Sequence, residues 1–428
     1  MPIQPARRNG LSVIHAARQL GAILLVWMLR QLIASADTDN APGAPLFSFG
    51  AFGTLGEVHS NEDRADFTSS LLVPTGAGYT RRWSAEVDSL IAGQITANFT
   101  SRLSAVVQVI LAQGSSSNWK PDLEWANLKY QIRPEFSVRV GRIMLPTFLL
   151  SDSRNVGYAI PWVRPPLETY SLVPVTDSDG ADVSYRMHIG DFVNDITGTY
   201  GETTPSLPTG GTAEARHLWV ISDTVGYGDA TVHIAYQHTR LTVHYLDTLF
   251  AAFRQFGSQG AALADKYDLS EKSVTFFGLG GTYDPGKWFL MGEWGTTEFH
   301  SVLGKSTGWY VTGGYRLAKF TPYLTYAALK ADSNTSDPGL TVSALPPSLV
   351  GPATVLNAGL NAVLGAIPVQ RTLSVGTRWD FMKNLALKVQ YDDTRLGAGS
   401  PGTLANLQPG FRPGSSVSLF SVTLDFVL

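Results

Sequence analysis

The sequence predicts an all-β fold, a single transmembrane antiparallel β-barrel of sixteen strands, and three observations carry that expectation. Charged residues make up only 16% of the chain, against about 25% in ordinary soluble domains, yet no downstream apolar run reads as a membrane-crossing helix. Segments of about ten residues alternate apolar and polar side chains, which gives a strand one greasy face and one polar face. The connections between these segments alternate between short and long along the chain, so loop length is sorted by end.

The N-terminus stands apart from that pattern. Arg7, Arg8 and Arg18 precede the apolar stretch 20–29 ("LGAILLVWML"), and Ala34-Ser35-Ala36 follows it. A basic flank, a short apolar core and a small-x-small site predict a secretory signal peptide over 1–36, cleaved after Ala36. Residues 37–428 then form one barrel domain. The leader holds Arg7, Arg8, Arg18 and Arg30 and no acid, so its removal makes a chain of net charge −3 more acidic still. That argues against a nucleic-acid partner. There are no cysteines, which excludes disulfides, thiolate metal sites and cysteine nucleophiles. The histidines show no metal-ligand spacing, and Gly278-Leu279-Gly280-Gly281 falls inside a strand pattern rather than at a strand-to-helix turn. No enzyme, cofactor or metal is expected.

The strands follow in order. "LFSFGAFGTLG" (46–56) opens the set, and "RRWSAEVDSLIAGQITANF" (81–99), "LSAVVQVILAQ" (103–113), "LEWANLKYQI" (123–132) and "FSVRVGR" (136–142) follow. Beyond a long gap come 181–189, 192–200, 213–224 and 230–241. Then come 273–283, 288–299, 307–317 and 320–330, and after another gap 371–381, 385–393 and 416–428. The count is even, as a closed antiparallel barrel requires. In the last strand Phe420, Val422, Leu424, Phe426 and Leu428 share one parity, while Ser421, Thr423 and Asp425 share the other. Short turns fall at 100–102, 133–135, 190–191, 225–229, 284–287, 318–319 and 382–384, whereas 143–179 and 331–369 are long. Short periplasmic turns and long extracellular loops are the habit of outer-membrane barrels, so the apolar parity faces lipid. Within 246–266, Leu249, Phe253 and Phe256 recur at helical spacing and predict a short helix in that loop.

On these features the chain resembles the sixteen-stranded trimeric porins of Gram-negative outer membranes: strand count, a long third loop after strand five, and an amphipathic final strand. It departs from them in ending on Leu428, with Phe426 as the nearest aromatic residue. The resemblance implies passive diffusion of small hydrophilic solutes and ions through a water-filled barrel narrowed by an inward-folded third loop, 143–179. It also implies a homotrimer in outer-membrane lipid, inserted by the barrel-assembly machinery. The alternatives are a substrate-specific channel for small organic acids or amino acids, and a non-conducting structural or adhesive barrel.

Pore chemistry belongs to the inward parity, because an arginine or lysine facing lipid near the midplane costs about 2–4 kcal/mol. That parity assigns Glu86 and Asp88 to strand two, Lys129 to strand four, Arg139 to strand five and Arg186 to strand six. Arg378 and Lys388 follow on strands fourteen and fifteen. The third loop supplies Asp152, Glu168, Asp177 and Asp179. The resemblance implies that these acids face the wall cations across a gap and set a transverse field there.

Overall fold

The computed structural model describes residues 46–428 apart from residue 209. The predicted signal peptide lies outside the described residues. The strands are β1 (Phe47–Ser60), β2 (Leu90–Asn98), β3 (Leu103–Gln113), β4 (Trp119–Arg133), β5 (Phe136–Met144), β6 (Asp177–Ile189), β7 (Phe192–Thr203) and β8 (Ala213–Tyr227). β9 (Ala230–Val243), β10 (Lys272–Tyr283), β11 (Trp288–Phe299), β12 (Lys305–Tyr315), β13 (Phe320–Ala331), β14 (Gln370–Met382), β15 (Leu385–Leu396) and β16 (Ser416–Val427) complete them. Each pairs antiparallel with the next, and β1 pairs with both β2 and β16. Phe52 sits opposite Val427 and Ser60 opposite Leu419. That last ladder turns an open meander into a closed barrel and leaves no sheet edge.

The facing follows the sequence pattern. Along β16, Phe420 is exposed and Val422 and Leu424 are partly exposed, while Ser421, Thr423 and Asp425 are fully buried. Aromatic pairs mark both rims of the outer band. Phe192 stacks on Tyr227 and Phe320 on Trp379 towards the short-turn end, with ring centroids 4.4 and 5.6 Å apart. Trp219 meets Tyr236 and Trp309 meets Tyr326 towards the long-loop end. Two aromatic girdles about an apolar band are the outer surface of a membrane barrel.

Two expectations need correction. The continuous second strand does not form, because a two-residue segment at Trp83–Ser84 is followed by a break before β2 begins at Leu90. Val87 in the break is drawn into an apolar cluster with Phe67, Ala77, Val417 and Leu419, which pulls the backbone off the barrel ladder. Loop lengths are also less strictly sorted than the sequence suggests. The connections at 114–118 and 300–304, on the long-loop end, are as short as turns.

The longer loops build a cap. Helices α2 (Asp247–Arg254) and α3 (Gly257–Tyr267) occupy the insertion where helical spacing predicts a helix. The 331–369 insertion, which the strand pattern passes over, carries α4 (Pro347–Gly365), a helix that is long and apolar enough to cross a membrane by length and composition. It packs instead on α2 and α3 through Phe250, Phe253, Leu360 and Leu364. Asn357 and Asn361 hold the backbone of 337–340 to its flank. Burial pushes the Asp337 carboxyl up, but hydrogen bonds from the Tyr267 hydroxyl (2.6 Å) and the Gly339 amide, with the Lys266 ammonium, hold it below the usual carboxylate range.

Candidate pore constriction

The connection between β5 and β6, residues 145–176, hydrogen-bonds side chains of the inward parity on the opposite wall. It holds a 3-10 turn at Gly157–Ala159 and one α-helical turn, α1 (Leu167–Tyr170). Phe148, Ile160, Trp162, Tyr170, Leu172 and Val173 of this loop pack on Phe276, Phe289, Tyr310 and Tyr323 of the wall. Fully burying one such side chain is worth about 1.5–3 kcal/mol, so the apolar residues of the loop find a core against these wall residues rather than facing solvent. The polar atoms then need partners. Trp162 Nε1–H donates to the hydroxyls of Thr312 and Thr325, both at 3.0 Å. The Val163 amide donates to Gln390. Glu293 on β11 accepts from the Tyr170 and Tyr310 hydroxyls, at 2.6 and 2.9 Å, and from the Leu149 amide at 2.8 Å.

Close approach of the loop backbone requires glycine at two positions. A Cβ on Gly157 would lie 2.3 Å from Asp425 Oδ1 and 2.4 Å from Thr54 Oγ1. On the wall, a Cβ on Gly308 would lie 1.9 Å from the carbonyl oxygen of Glu168. Any side chain there would drive loop and wall apart.

The ion pairs between loop and barrel run opposite to the expected polarity. Arg164, in the loop, donates through Nε and Nη2 to Asp88 at 2.7 and 2.6 Å, and through Nη1 to Asp392 at 3.1 Å. Nη2 also reaches Ser421 Oγ at 2.6 Å, and the guanidinium lies 4.9 Å from the Phe67 ring centroid. The Asp88 and Asp392 side chains are only 2% and 5% exposed. The cation is therefore on the loop and the acids are on the barrel side.

The candidate residues distribute as follows. Lys388 is fully buried, pairs with Asp425 at 2.9 Å and donates to the carbonyls of Gly157 and Trp162, both at 2.6 Å. Arg378 donates to the Tyr158 carbonyl at 2.5 Å and pairs with Asp380 at 2.7 Å. These two wall cations do meet the loop, but they bind its carbonyls rather than its acids. Arg139 pairs with Asp182 and Arg186 with Asp195, each on a neighbouring strand. Lys129 faces inward on β4, opposite Arg139 in the ladder.

The acids depart further from expectation. Glu86 lies in the break before β2 and pairs with Arg81 at 2.5 Å, so it is not a wall residue. Asp88 is in the same break, where it binds Arg164. Glu168 is on the loop but accepts from Gln370 at 2.7 Å and from Thr372, not from a wall cation. Asp177 and Asp179 belong to β6, and their partner is Arg142 on β5. The run Asp177-Ser178-Asp179-Gly180 carries no apolar side chain, so the polar–apolar alternation that would reveal a strand is absent. Asp152 is an exposed loop acid. Sequence reasoning missed Arg164, Glu293 and Asp182. The signal was a single arginine inside the aromatic- and proline-rich run "YAIPWVRPP", where only a buried anion site would tolerate it.

No family model matches the sequence, and no curated protein matches it either. Solved structures do match along nearly the whole described chain. OmpF of Salmonella typhi, solved in complex with daunomycin, is 12% identical and aligns over 89% of this chain and 97% of its own, with a TM-score of 0.53. The outer membrane channel DcaP of Acinetobacter baumannii is 11% identical over 91% of this chain and all of its own, with a TM-score of 0.51. The fold is that of the sixteen-stranded outer-membrane porins. OmpT of Vibrio cholerae, expressed in the outer membrane, has the same fold at 12% identity, with a TM-score of 0.50 over 91% of this chain. At these identities the likeness speaks for the barrel architecture, and the loop chemistry described above is this chain's own.

Proposed function

We propose that this protein is an outer-membrane porin, a passive diffusion channel for small hydrophilic solutes and ions whose cross-section is narrowed by residues 145–176. The observation that carries this reading is a closed barrel, apolar outside and polar inside, with a loop hydrogen-bonded across its lumen. Polar side chains such as Arg186 and Thr197 remain open to water on the inner wall, and a non-conducting barrel has no use for a hydrated lumen. The fold shared with DcaP, described as an outer membrane channel, supports the same reading. We further propose residues 1–36 as the export signal and a homotrimer as the working assembly in outer-membrane lipid, inserted by the barrel-assembly machinery. The test is planar-bilayer recording of the purified protein in KCl. The expected result is discrete current steps, in ones or threes, whose size scales with salt concentration. A protein that inserts into the bilayer and leaves it silent contradicts the proposal.

A further inference from the structure

The lumen is lopsided. On the wall from β12 to β16 the inward side chains at mid-height are sealed: Thr312, Lys388, Ser421, Thr423 and Asp425 have no exposed surface. On the wall from β4 to β7 the inward side chains Asn127, Lys129, Arg139, Ser184, Arg186 and Thr197 are half-buried or exposed, although Ser137, Asp182 and Thr199 on the same wall are buried. The third loop accounts for the difference, since its hydrogen bonds go to β9, to β11–β16, to Asp88 before β2 and to Glu124 of β4. Apart from its own hinge at Thr176–Asp177, it makes none to a side chain of β5–β7 among the described residues. The wall β4–β7 is therefore the side left open for water, away from the barrel axis.

At mid-height, in each ion pair on that wall, the cation is more open to water than the carboxylate it holds. Arg139 grips Asp182 with three hydrogen bonds of 2.6–3.0 Å, and its side chain is 27% exposed while the carboxylate behind it is 1% exposed. Arg186 is 60% exposed and its partner Asp195 27%. Lys129, beside Arg139, has no ion-pair partner among the described residues. At the long-loop end the path also meets exposed carboxylates, Asp122 of β4, Asp179 of β6 (paired with Arg142) and Asp152 of the loop, with Arg154 two residues on. An ion moving past at mid-height meets the positive end of each pair and the unpaired Lys129 ammonium first, because the carboxylates lie behind their partners and farther from the path.

We infer that the channel is selective for small anions, inorganic or carboxylate, and that Lys129, Arg139 and Arg186 set this preference. The inference rests on the conduction proposed above and adds the sign of the permeating charge. The experiment measures the reversal potential in a KCl gradient across a planar bilayer. The native protein should favour chloride. The double variant Lys129→Gln/Arg186→Gln, which leaves the buried Arg139–Asp182 pair intact, should lower the chloride-to-potassium permeability ratio by roughly two- to fivefold. Arg371→Gln, which removes the same charge from an exposed position of the outward parity, should leave the ratio where it is. A cation-preferring native current, or a ratio that the double variant does not move, overturns the inference while conduction stands. A silent protein overturns the conduction reading and this one together.

Discussion

Arg164→Leu is expected to release the third loop from the wall and raise single-channel conductance severalfold, with the barrel still folded. The substitution leaves Asp88 and Asp392 buried without their shared cation, and breaking a buried pair in this way costs about 3–5 kcal/mol. Little of that cost falls on the strand ladder, because Arg164 bridges a loop to three side chains, Asp88, Asp392 and Ser421, and takes no part in strand pairing. Arg164→Lys should be intermediate, since an ammonium cannot reproduce the two-pronged contact to Asp88 together with the bond to Asp392. Single-channel recording reads the effect directly. A leucine variant with native conductance would mean that Arg164 does not hold the loop in place.

A second large effect is expected from two neighbouring residues on β6. Val183 lies on the outer face, 44% exposed, and Ser184 faces inward, where it hydrogen-bonds Thr197 beside the open path. Val183→Arg places a guanidinium in hydrocarbon at a cost of about 2–4 kcal/mol near the midplane, and folding into lipid vesicles should largely fail. Ser184→Arg places the same group in water, and folding should proceed at close to the native yield. The reverse ranking of yields would invert the facing of β6 and with it the whole barrel.

Most of the fold was legible in the sequence for one physical reason: lipid outside and polar groups inside impose a two-residue period that a strand cannot conceal. The period fails where neither solvent is uniform. At the rim Asp177 and Asp179 are strand residues that read as loop, because residues 177–180 include no apolar side chain to mark a face. Beyond Trp83 the alternation carried Glu86 and Asp88 into a strand that Val87 pulls apart. Inside the barrel, polarity alone cannot tell a residue in pore water from one in a packed network. Thr423 reads as a solvated lumen residue and is fully buried, so an arginine there has no water to enter. The reversal of charge across the loop was hidden for a related reason. Which acids meet Arg164 depends on contacts between residues as distant as 164 and 392, and no local pattern encodes such pairs.

The proposed conducting path hugs one wall, and the absence of cysteines from the sequence allows that path to be probed residue by residue. Single variants Thr197→Cys, on the open wall, and Ser374→Cys, a buried inward residue of β14, can be exposed to a charged, thiol-reactive methanethiosulfonate during single-channel recording. The account predicts a stepwise fall in current for Thr197→Cys and no change for Ser374→Cys. Block at Ser374→Cys with none at Thr197→Cys would contradict it.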